Sequence, residues 1–245
     1  MLLAGANSGV GLATAEVIAS ASSTNHVILA ARSLDKATSA VSELQSCGAV
    51  KGSLSTVQLD VTDSHSIDRA VTQVEKDFGR LDVLINNAAV GSRDNDIRTR
   101  MQLNMDTNVV GPAVVAASFR PLLFKSSNPY SIYVSSGVGS LTLASDPNSG
   151  VYKVLDNAEA YRASKAALNM LAVQEKTEHG DKLKVFAFDP GFVRSNLRGT
   201  GEEERSGWGK AGDPKDSGKG MLDILEGKRD NETGGFLHSH GSYPW

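Results

Sequence analysis

Residues 5–11 read Gly5-Ala6-Asn7-Ser8-Gly9-Val10-Gly11, between an apolar run at residues 1–4 and a helical pattern that starts at Val10. Glycine allows a tight turn and lets the backbone approach a bound group closely. Where such a turn joins a buried strand to a helix, the free N–H groups and the positive end of the helix dipole attract phosphate. The stretch therefore predicts a dinucleotide pyrophosphate loop; the alternative is a tight turn without a ligand. The residues expected to bind are Gly5, Asn7, Ser8, Gly9, Val10 and Gly11.

The glycine spacing narrows the class of protein. The spacing is G-x-x-x-G-x-G rather than the G-x-G-x-x-G of long dehydrogenases. The loop also lacks the Gly-Lys-Ser/Thr ending of the phosphate-binding loop of nucleoside triphosphatases. The sequence therefore argues against a triphosphatase.

Short apolar runs alternate with amphipathic stretches along the whole chain. One such stretch places Ile67, Ala70 and Val74 on one helical face, with Asp63 or Ser64 as the N-cap. Alternating strands and helices predict a single α/β domain over residues 1–245, a doubly wound parallel sheet of the Rossmann type. The expected strands are Met1–Ala4, Val27–Ala31, Val57–Leu59, Val83–Ile85, Ile132–Val134, Val185–Phe188 and Phe236–Leu237.

Composition excludes several other classes. The 245 residues carry 25 Lys+Arg and 28 Asp+Glu, a net charge of −3 that gives no reason to expect nucleic acid as a partner. Cys47 is the only cysteine, so neither an internal disulfide nor a cysteine zinc site is possible, and we expect no metal. No apolar run approaches the roughly 18 residues of a membrane span, and no signal peptide is evident. We expect a cytoplasmic protein with no membrane partner; its first strand starts at residue 1, which is compatible with a shortened N-terminus.

Arg32, which follows the second predicted strand, and Asp60, which follows the third, bear on the choice between NADPH and NAD. The second strand ends Ala30-Ala31-Arg32, without the acid that usually binds the adenine ribose hydroxyls of NAD. Arg32 can form a charge-assisted bond to a 2′-phosphate, which favours NADPH; the alternative is an ordinary surface arginine. Asp60, followed by Val61, could meet the adenine edge, or it could be a helix-entry aspartate.

A helix and a strand end supply candidate catalytic groups. Tyr161 and Lys165 lie at i and i+4, so they share a helix face, and an ammonium beside a phenol is expected to lower the phenol pKa. Such tuning suits general acid–base catalysis. Ser136 follows the fifth strand, where open α/β sheets bind ligands. Ser135 is the alternative hydroxyl, but the spacing to Gly139 favours Ser136.

Taken in chain order, these motifs resemble the short-chain dehydrogenase/reductase family. They are the glycine loop at 5–11, Asp60, the Asn-Asn-Ala string at 86–88, Asn108, the serine, the Tyr-x-x-x-Lys motif and the Pro-Gly-x-Val-x-Ser string at 190–195. The resemblance implies a catalytic tetrad of Asn108, Ser136, Tyr161 and Lys165. Tyr161 would then transfer the proton, Ser136 would orient the substrate oxygen, Lys165 would bind the nicotinamide ribose, and Asn108 would hold a relay water. Taken alone, Asn108 is equally a polar residue that distorts a helix.

The same resemblance assigns the remaining cofactor contacts. They are Asp60, Val61, Asn87, Ala88, Pro190, Gly191, Val193 and Ser195, with Tyr161 and Lys165 at the nicotinamide. The sequence departs from the family pattern at Ala4, Ala89 and Asp189, where threonine, glycine and Asn or Ser are usual. Asp189 is a charge expected to be buried, and the sequence offers no account of it.

Two segments are expected to shape access to the site. Ser136 and Tyr161 are 25 positions apart, and the added residues, about 144–157, resemble an insertion of carbonyl reductase-like members. That insertion can obstruct the usual dimer, so the pattern leaves monomer and homo-oligomer open. Residues 194–220 lack apolar periodicity and predict a substrate lid containing Trp208, or else a solvated surface insertion.

These features predict an NADPH-dependent oxidoreductase that reduces a small-molecule ketone to a secondary alcohol. An isomerase or dehydratase on the same scaffold is the alternative among enzymes. A catalytically silent NADP(H)-binding sensor is the alternative outside them.

Overall fold

The computed structural model describes residues 1–152 and 158–245, and an eight-stranded sheet forms its centre. The strand order is β3-β2-β1-β4-β5-β6-β7-β8. Neighbouring strands from β3 to β7 are parallel, and β8 runs antiparallel to β7. The strands are β1 Leu2–Ala4, β2 His26–Ala31, β3 Ser53–Gln58, β4 Val83–Asn86, β5 Tyr130–Val134, β6 Lys184–Asp189, β7 Phe236–His238 and β8 Gly241–Tyr243. The expected single Rossmann-type α/β domain is confirmed.

Helices connect the strands and cover both faces of the sheet. In the described residues they are α1 Gly9–Ala21, α2 Leu34–Ser46, α3 Ser64–Phe78, α4 Ile97–Met105, α5 Gly111–Leu123, α6 Leu141–Ser145, α7 Glu159–His179, α8 Glu202–Arg205 and α9 Pro214–Leu225. Within this part of the chain, no helix combines the length and apolarity that a membrane crossing requires.

The α3 helix shows how local sequence sets an element. The Asp63 carboxylate accepts from the His65 backbone N–H at 2.9 Å, so Asp63 rather than Ser64 is the N-cap. The buried residues Ile67, Ala70 and Val74 follow the expected helical spacing. The helix ends at Gly79, whose φ of 72° is a left-handed conformation that glycine adopts readily.

The core lies in two layers, one on each face of the sheet. Along β1, Leu2 packs in the layer that contains residues of α3, α5 and α7, whereas Leu3 packs in the layer that contains residues of α1, α2 and α9. This alternation follows from the two-residue repeat of a strand. Because both faces are covered, β1, β2 and β4 to β7 are largely apolar, which is why short apolar runs predicted them. The polar strand β3, Ser53–Gln58, begins four residues before the predicted Val57–Leu59.

The C-terminal part of the predicted lid is helical and packs against the core of the domain. Residues 214–220 lie in α9, where Gly218 packs so tightly on α1 that a Cβ there would lie 3.1 Å from the Thr14 Cα. That end of the segment supports the fold, so the expectation of an irregular lid up to residue 220 was wrong. The sequence pattern missed it because α9 carries two glycines and two lysines among few apolar residues.

The predicted insertion is described in part. Residues 141–145 form α6, and turns follow as far as Tyr152. The rest of the predicted insertion, residues 153–157, lies outside the described residues.

Candidate active site

The glycine loop joins β1 to α1 at the carboxyl edge of the sheet. Gly5 and Gly9 have φ values of 72° and 56°, conformations that favour glycine. At Gly11 a Cβ would lie 2.4 Å from the Gly5 carbonyl oxygen, so only glycine lets the helix approach the strand this closely. The N-cap Ser8 makes no side-chain capping bond, and the first turn of α1 holds no acid. The helix end therefore presents N–H groups and no repelling carboxylate to an anion.

The end of β4 closes one side of this loop. The Asn87 amide donates to the carbonyl oxygens of Ala4 and Gly5 at 3.1 and 3.0 Å, which fixes the turn. A Cβ on Gly5 would meet the Ala88 Cα at 2.8 Å, so the loop and the β4 end are in direct contact. Asn87 therefore supports the loop through its own hydrogen bonds, and Ala88 leaves a shallow surface beside it.

Asn86 is a residue of this edge that sequence reasoning passed over. It is 3% exposed, and neither its amide nitrogen nor its amide oxygen has a hydrogen-bond partner among the described residues. A buried amide without partners costs free energy, so a ligand that supplies partners at the end of β4 would be stabilised there. Only its place in the Asn-Asn-Ala string could have signalled this.

The ends of β2 and β3 place the expected adenosine-binding residues on the same edge. Arg32 is exposed directly after β2, and no acidic partner is recorded for its guanidinium in the described part of the chain. The Asp60 carboxylate accepts from both the backbone N–H and the hydroxyl of Thr62, at 3.0 and 2.7 Å. Asp60 thus orders the turn that precedes α3, as the helix-entry alternative expects. Val61 is buried against Gly111.

Tyr161, Lys165 and Ser136 converge next to β5. The Lys165 Nζ donates to the Val134 carbonyl oxygen at 2.8 Å and lies 5.6 Å from the centre of the Tyr161 ring. Ser136 lies beside the Tyr161 phenol and opposes the rise in the phenol pKa. The Ser135 hydroxyl instead bonds Asn169 at 2.5 Å on the far side of the turn. The geometry therefore favours Ser136 over Ser135 as the hydroxyl beside the phenol.

Burial dominates the electrostatics of these groups. Desolvation, followed by the negative charge of Asp189, raises the pKa of Tyr161 above its usual value. Desolvation lowers the pKa of Lys165 to about 7, and Asp189 opposes that shift. The net shift of the phenol pKa is therefore upward, opposite to the expected lowering, because burial and Asp189 outweigh the groups that favour the phenolate; the phenol keeps its proton at neutral pH.

Asn108 lies in a π-helical turn, Asp106–Val110, between α4 and α5. Its side chain bonds Val90 twice: its oxygen accepts from the Val90 N–H at 2.8 Å, and its nitrogen donates to the Val90 carbonyl at 2.9 Å. It also donates to the Ser164 hydroxyl at 3.0 Å. Single π turns are frequent at functional sites. Here the turn ties the chain after β4 to the helix that carries Tyr161 and Lys165.

The chain after β6 lies over the glycine loop. A Cβ on Gly9 would lie 3.4 Å from the Ser195 Cβ, so the predicted nicotinamide segment reaches the phosphate loop. The Pro190 carbonyl accepts from Ser217 on α9 at 2.7 Å, and Gly191 has a φ of 78°. Val193 is buried and pairs with Gly212 in an isolated parallel bridge.

Arg198 is a second residue that sequence reasoning missed. Its guanidinium donates to the carbonyl oxygens of Val193, Glu204 and Arg205 and lies 4.4 Å from the centre of the Phe192 ring. Its charge lowers the pKa of Tyr161 and so favours the ionised phenol. No motif spacing marks it, because its partners are backbone atoms brought together by the fold.

The carboxyl edge of the sheet carries the groups that binding of a dinucleotide requires. It combines a helix N-terminus without a competing cap, glycines whose replacement would fill the turn, an unpartnered buried amide at Asn86 and an exposed cation after β2. Phosphate, carboxamide and a second phosphate are groups that such donors recognise.

Comparison with known proteins identifies the family. The short chain dehydrogenase family model matches residues 1–206. A short-chain dehydrogenase, anuI, from Penicillium roqueforti is 37% identical over 81% of this chain and 80% of its own length. A short-chain dehydrogenase/reductase, tropE, from Talaromyces stipitatus is 31% identical over 98% of this chain and 95% of its own.

Among solved structures, a chicken fatty liver carbonyl reductase with bound NADPH is 28% identical and superposes with a TM-score of 0.81. The match covers all of this chain and 93% of that one. The resemblance read from the motifs is confirmed by both kinds of relative, and the chain belongs to the short-chain dehydrogenase family of oxidoreductases.

Proposed function

We propose that the protein is an NADPH-dependent carbonyl reductase that converts a ketone to a secondary alcohol. The observation that carries the proposal is the convergence of Tyr161 and Lys165, whose Nζ lies 5.6 Å from the centre of the phenol ring, with Ser136 at the carboxyl edge of β5. A hydroxyl and a phenol that lie side by side can hold one carbonyl oxygen between them.

The protonation of Tyr161 favours reduction over oxidation. Burial and the charge of Asp189 raise the phenol pKa, so the phenol carries its proton at neutral pH. A carbonyl that becomes an alkoxide must accept a proton, and Tyr161 supplies it. Ser136 orients the oxygen, and Lys165 binds next to the phenol, where a positive charge stabilises the phenolate left behind.

The glycine loop, the β4 end and the 190–195 segment would hold the cofactor. Pyrophosphate is expected at Ser8–Gly11, the nicotinamide end beside Asn86, Lys165 and Ser195, and a 2′-phosphate at Arg32. When bound, NADPH supplies the hydride of the reaction. The preference for NADPH depends on Arg32, and the chicken relative, whose structure contains NADPH, supports it.

The lid supports a ketone with an apolar body. Trp208 in the predicted lid and Phe192 just before it are 59% and 53% exposed, and such rings contribute binding through buried area. We therefore extend the proposal to medium-sized, aromatic or polycyclic ketones.

The test compares cofactor binding with turnover. A fluorescence titration should show NADPH binding to the wild type and to Tyr161→Phe alike. NADPH consumption on a panel of ketones should occur in the wild type and fall at least a thousandfold in Tyr161→Phe. The matched control is Tyr130→Phe, which removes a phenol at the opposite end of β5 and should keep its turnover.

Other outcomes would assign the alternatives. Binding without NADPH consumption on any ketone, alcohol or aldehyde would favour a cofactor sensor. Conversion of a substrate without net cofactor consumption would favour an isomerase or dehydratase.

A further inference from the structure

Asp189 is a buried carboxylate at the end of β6 with no role in the chemistry proposed above. Its side chain accepts from the Gly191 backbone N–H at 3.0 Å, and Gly137 lies beside its second oxygen. A Cβ on Gly137 would lie 3.3 Å from its second oxygen, and Asp189 itself is 7% exposed. One carboxylate thus joins two turns: the turn after Ser136 and the turn of Pro190–Gly191.

The strand ends bring Asp189 close to Lys165. In the sheet, Val134 of β5 is the direct neighbour of Phe188 of β6, the residue before Asp189. The Lys165 Nζ is bonded to the Val134 carbonyl, and the Phe188 carbonyl accepts from Ser135 at 2.7 Å. Lys165 and Asp189 therefore lie at two adjacent strand ends, and both are buried.

Charged and titratable groups face Asp189 from three elements. Lys165 and Tyr161 face it from α7, His238 from β7 and Tyr243 from β8. Arg198 faces the same phenol from the lid. Among the described residues no salt bridge within 4.0 Å includes Asp189. The charges of His238 and of Lys165 oppose the rise that burial causes in the Asp189 pKa, and Lys165 is the buried one of the two.

A buried carboxylate and a buried ammonium each lose hydration, and each offsets part of the other's loss. We propose that Asp189 is a positioning residue: its carboxylate is the counter-ion that keeps Lys165 charged, and it fastens the Ser136 turn to the Pro190–Gly191 turn. Asparagine or serine at this position would keep a polar partner for the turn but would remove the counter-ion. The presence of an acid here thus has a physical reason that the sequence pattern did not supply.

The charge of Lys165 can be measured without turnover. In cofactor-free protein labelled with 13C at lysine Cε, the Lys165 signal is identified by its loss in Lys165→Met and is followed through a pH titration. In the wild type we expect a midpoint near 7. In Asp189→Asn, which keeps an oxygen for the Gly191 N–H, we expect a midpoint lower by roughly one pH unit.

The control is Glu175→Gln. Glu175, like Asp189, is a buried carboxylate, and it is 3% exposed. It lies in α7, ten residues and about 15 Å along the helix from Lys165. It should leave the Lys165 midpoint unchanged. An unchanged midpoint in Asp189→Asn, or an equal shift in Glu175→Gln, would overturn the proposal.

Kinetics provide the second measurement, and this part rests on the proposed reductase function. Removing the charge of Asp189 eases ionisation of Tyr161, so ketone reduction by Asp189→Asn and Asp189→Ser should decline at lower pH than in the wild type. If Asp189 had only a structural role, Asp189→Asn would keep its activity, Asp189→Ser would lose activity, and neither pH profile of ketone reduction would shift. That result would overturn the counter-ion role. If the NMR midpoint shifts while no variant, including the wild type, turns over a ketone, the proposed function fails and the counter-ion role stands.

Discussion

The Lys165 ammonium donates a hydrogen bond to the Val134 carbonyl oxygen at 2.8 Å, and only 2% of Lys165 is exposed. The same contact that positions the amine beside Tyr161 removes it from water. Desolvation therefore lowers the pKa of Lys165 to about 7, well below the value of an unfolded lysine.

This shift makes stability depend on pH. The folded protein releases the Lys165 proton near pH 7, whereas the unfolded chain keeps it until about pH 10.4. Between these values the unfolded state binds more protons, so the free energy of unfolding rises with pH by up to about 1.4 kcal/mol per unit. From pH 7 to 8.5, urea unfolding should show the wild type gaining up to about 2 kcal/mol relative to Lys165→Met. Parallel pH dependences in the two proteins would contradict this.

Much of the fold was predictable because it depends on local pattern. The buried strands and α3 follow from apolar runs, helical spacing and the Asp63 cap. The short β8 was missed, since Gly241–Tyr243 pairs only with β7 and carries no strand signal of its own. The helix α9 was missed because its packing on α1 depends on small residues such as Gly218 rather than on an apolar stripe.

The candidate site likewise has features that residue spacing predicted and features that depend on the fold. Spacing placed Tyr161, Lys165 and Ser136 together, as the structure does. It could not give the direction of the phenol pKa, because that depends on burial and on Asp189, which lies 28 positions away in the chain. The unpartnered Asn86 amide is equally a property of the fold, since the sequence does not show which hydrogen bonds a buried side chain lacks.

Arg32 tests the choice of cofactor. It is exposed after β2 and forms no salt bridge with the residues that the structure describes, so its guanidinium is available to a 2′-phosphate. A charge-assisted hydrogen bond contributes about 1.5–3 kcal/mol, so Arg32→Asp should lower the NADPH/NADH ratio of kcat/KM at least tenfold. Arg69→Asp, which makes the same change on the exposed face of α3, is the control. A ratio that changes equally in both variants, or in neither, would remove Arg32 from the cofactor site.

Asn108 tests the link between the π turn and α7. Asn108→Ala leaves the Val90 N–H and carbonyl without partners in a buried region, so we expect a loss of about 2–4 kcal/mol in the free energy of unfolding and a large fall in kcat. Ser164→Ala removes only one of the Asn108 contacts and should cost about 1 kcal/mol. Urea unfolding and steady-state kinetics of both variants measure the difference. Equal losses would show that the Val90 contacts carry no special weight.

Substitutions at Trp208 test the predicted lid, because the ring is expected to favour substrate binding whereas the backbone conformation lowers stability. Its φ of 53° is the only positive value at a non-glycine residue in the described chain, and such a conformation costs a bulky residue roughly 1–2 kcal/mol. The ring is 59% exposed and available to a substrate. In Trp208→Gly the strain and the ring are both removed, so we expect a small gain in stability together with a severalfold higher KM for apolar ketones. Trp208→Ala removes the ring but keeps a Cβ in the strained conformation, so it should raise KM equally without the gain in stability. Thermal unfolding and KM for matched small and polycyclic ketones separate the two effects; an unchanged KM in both variants would show that the ring does not contact substrate.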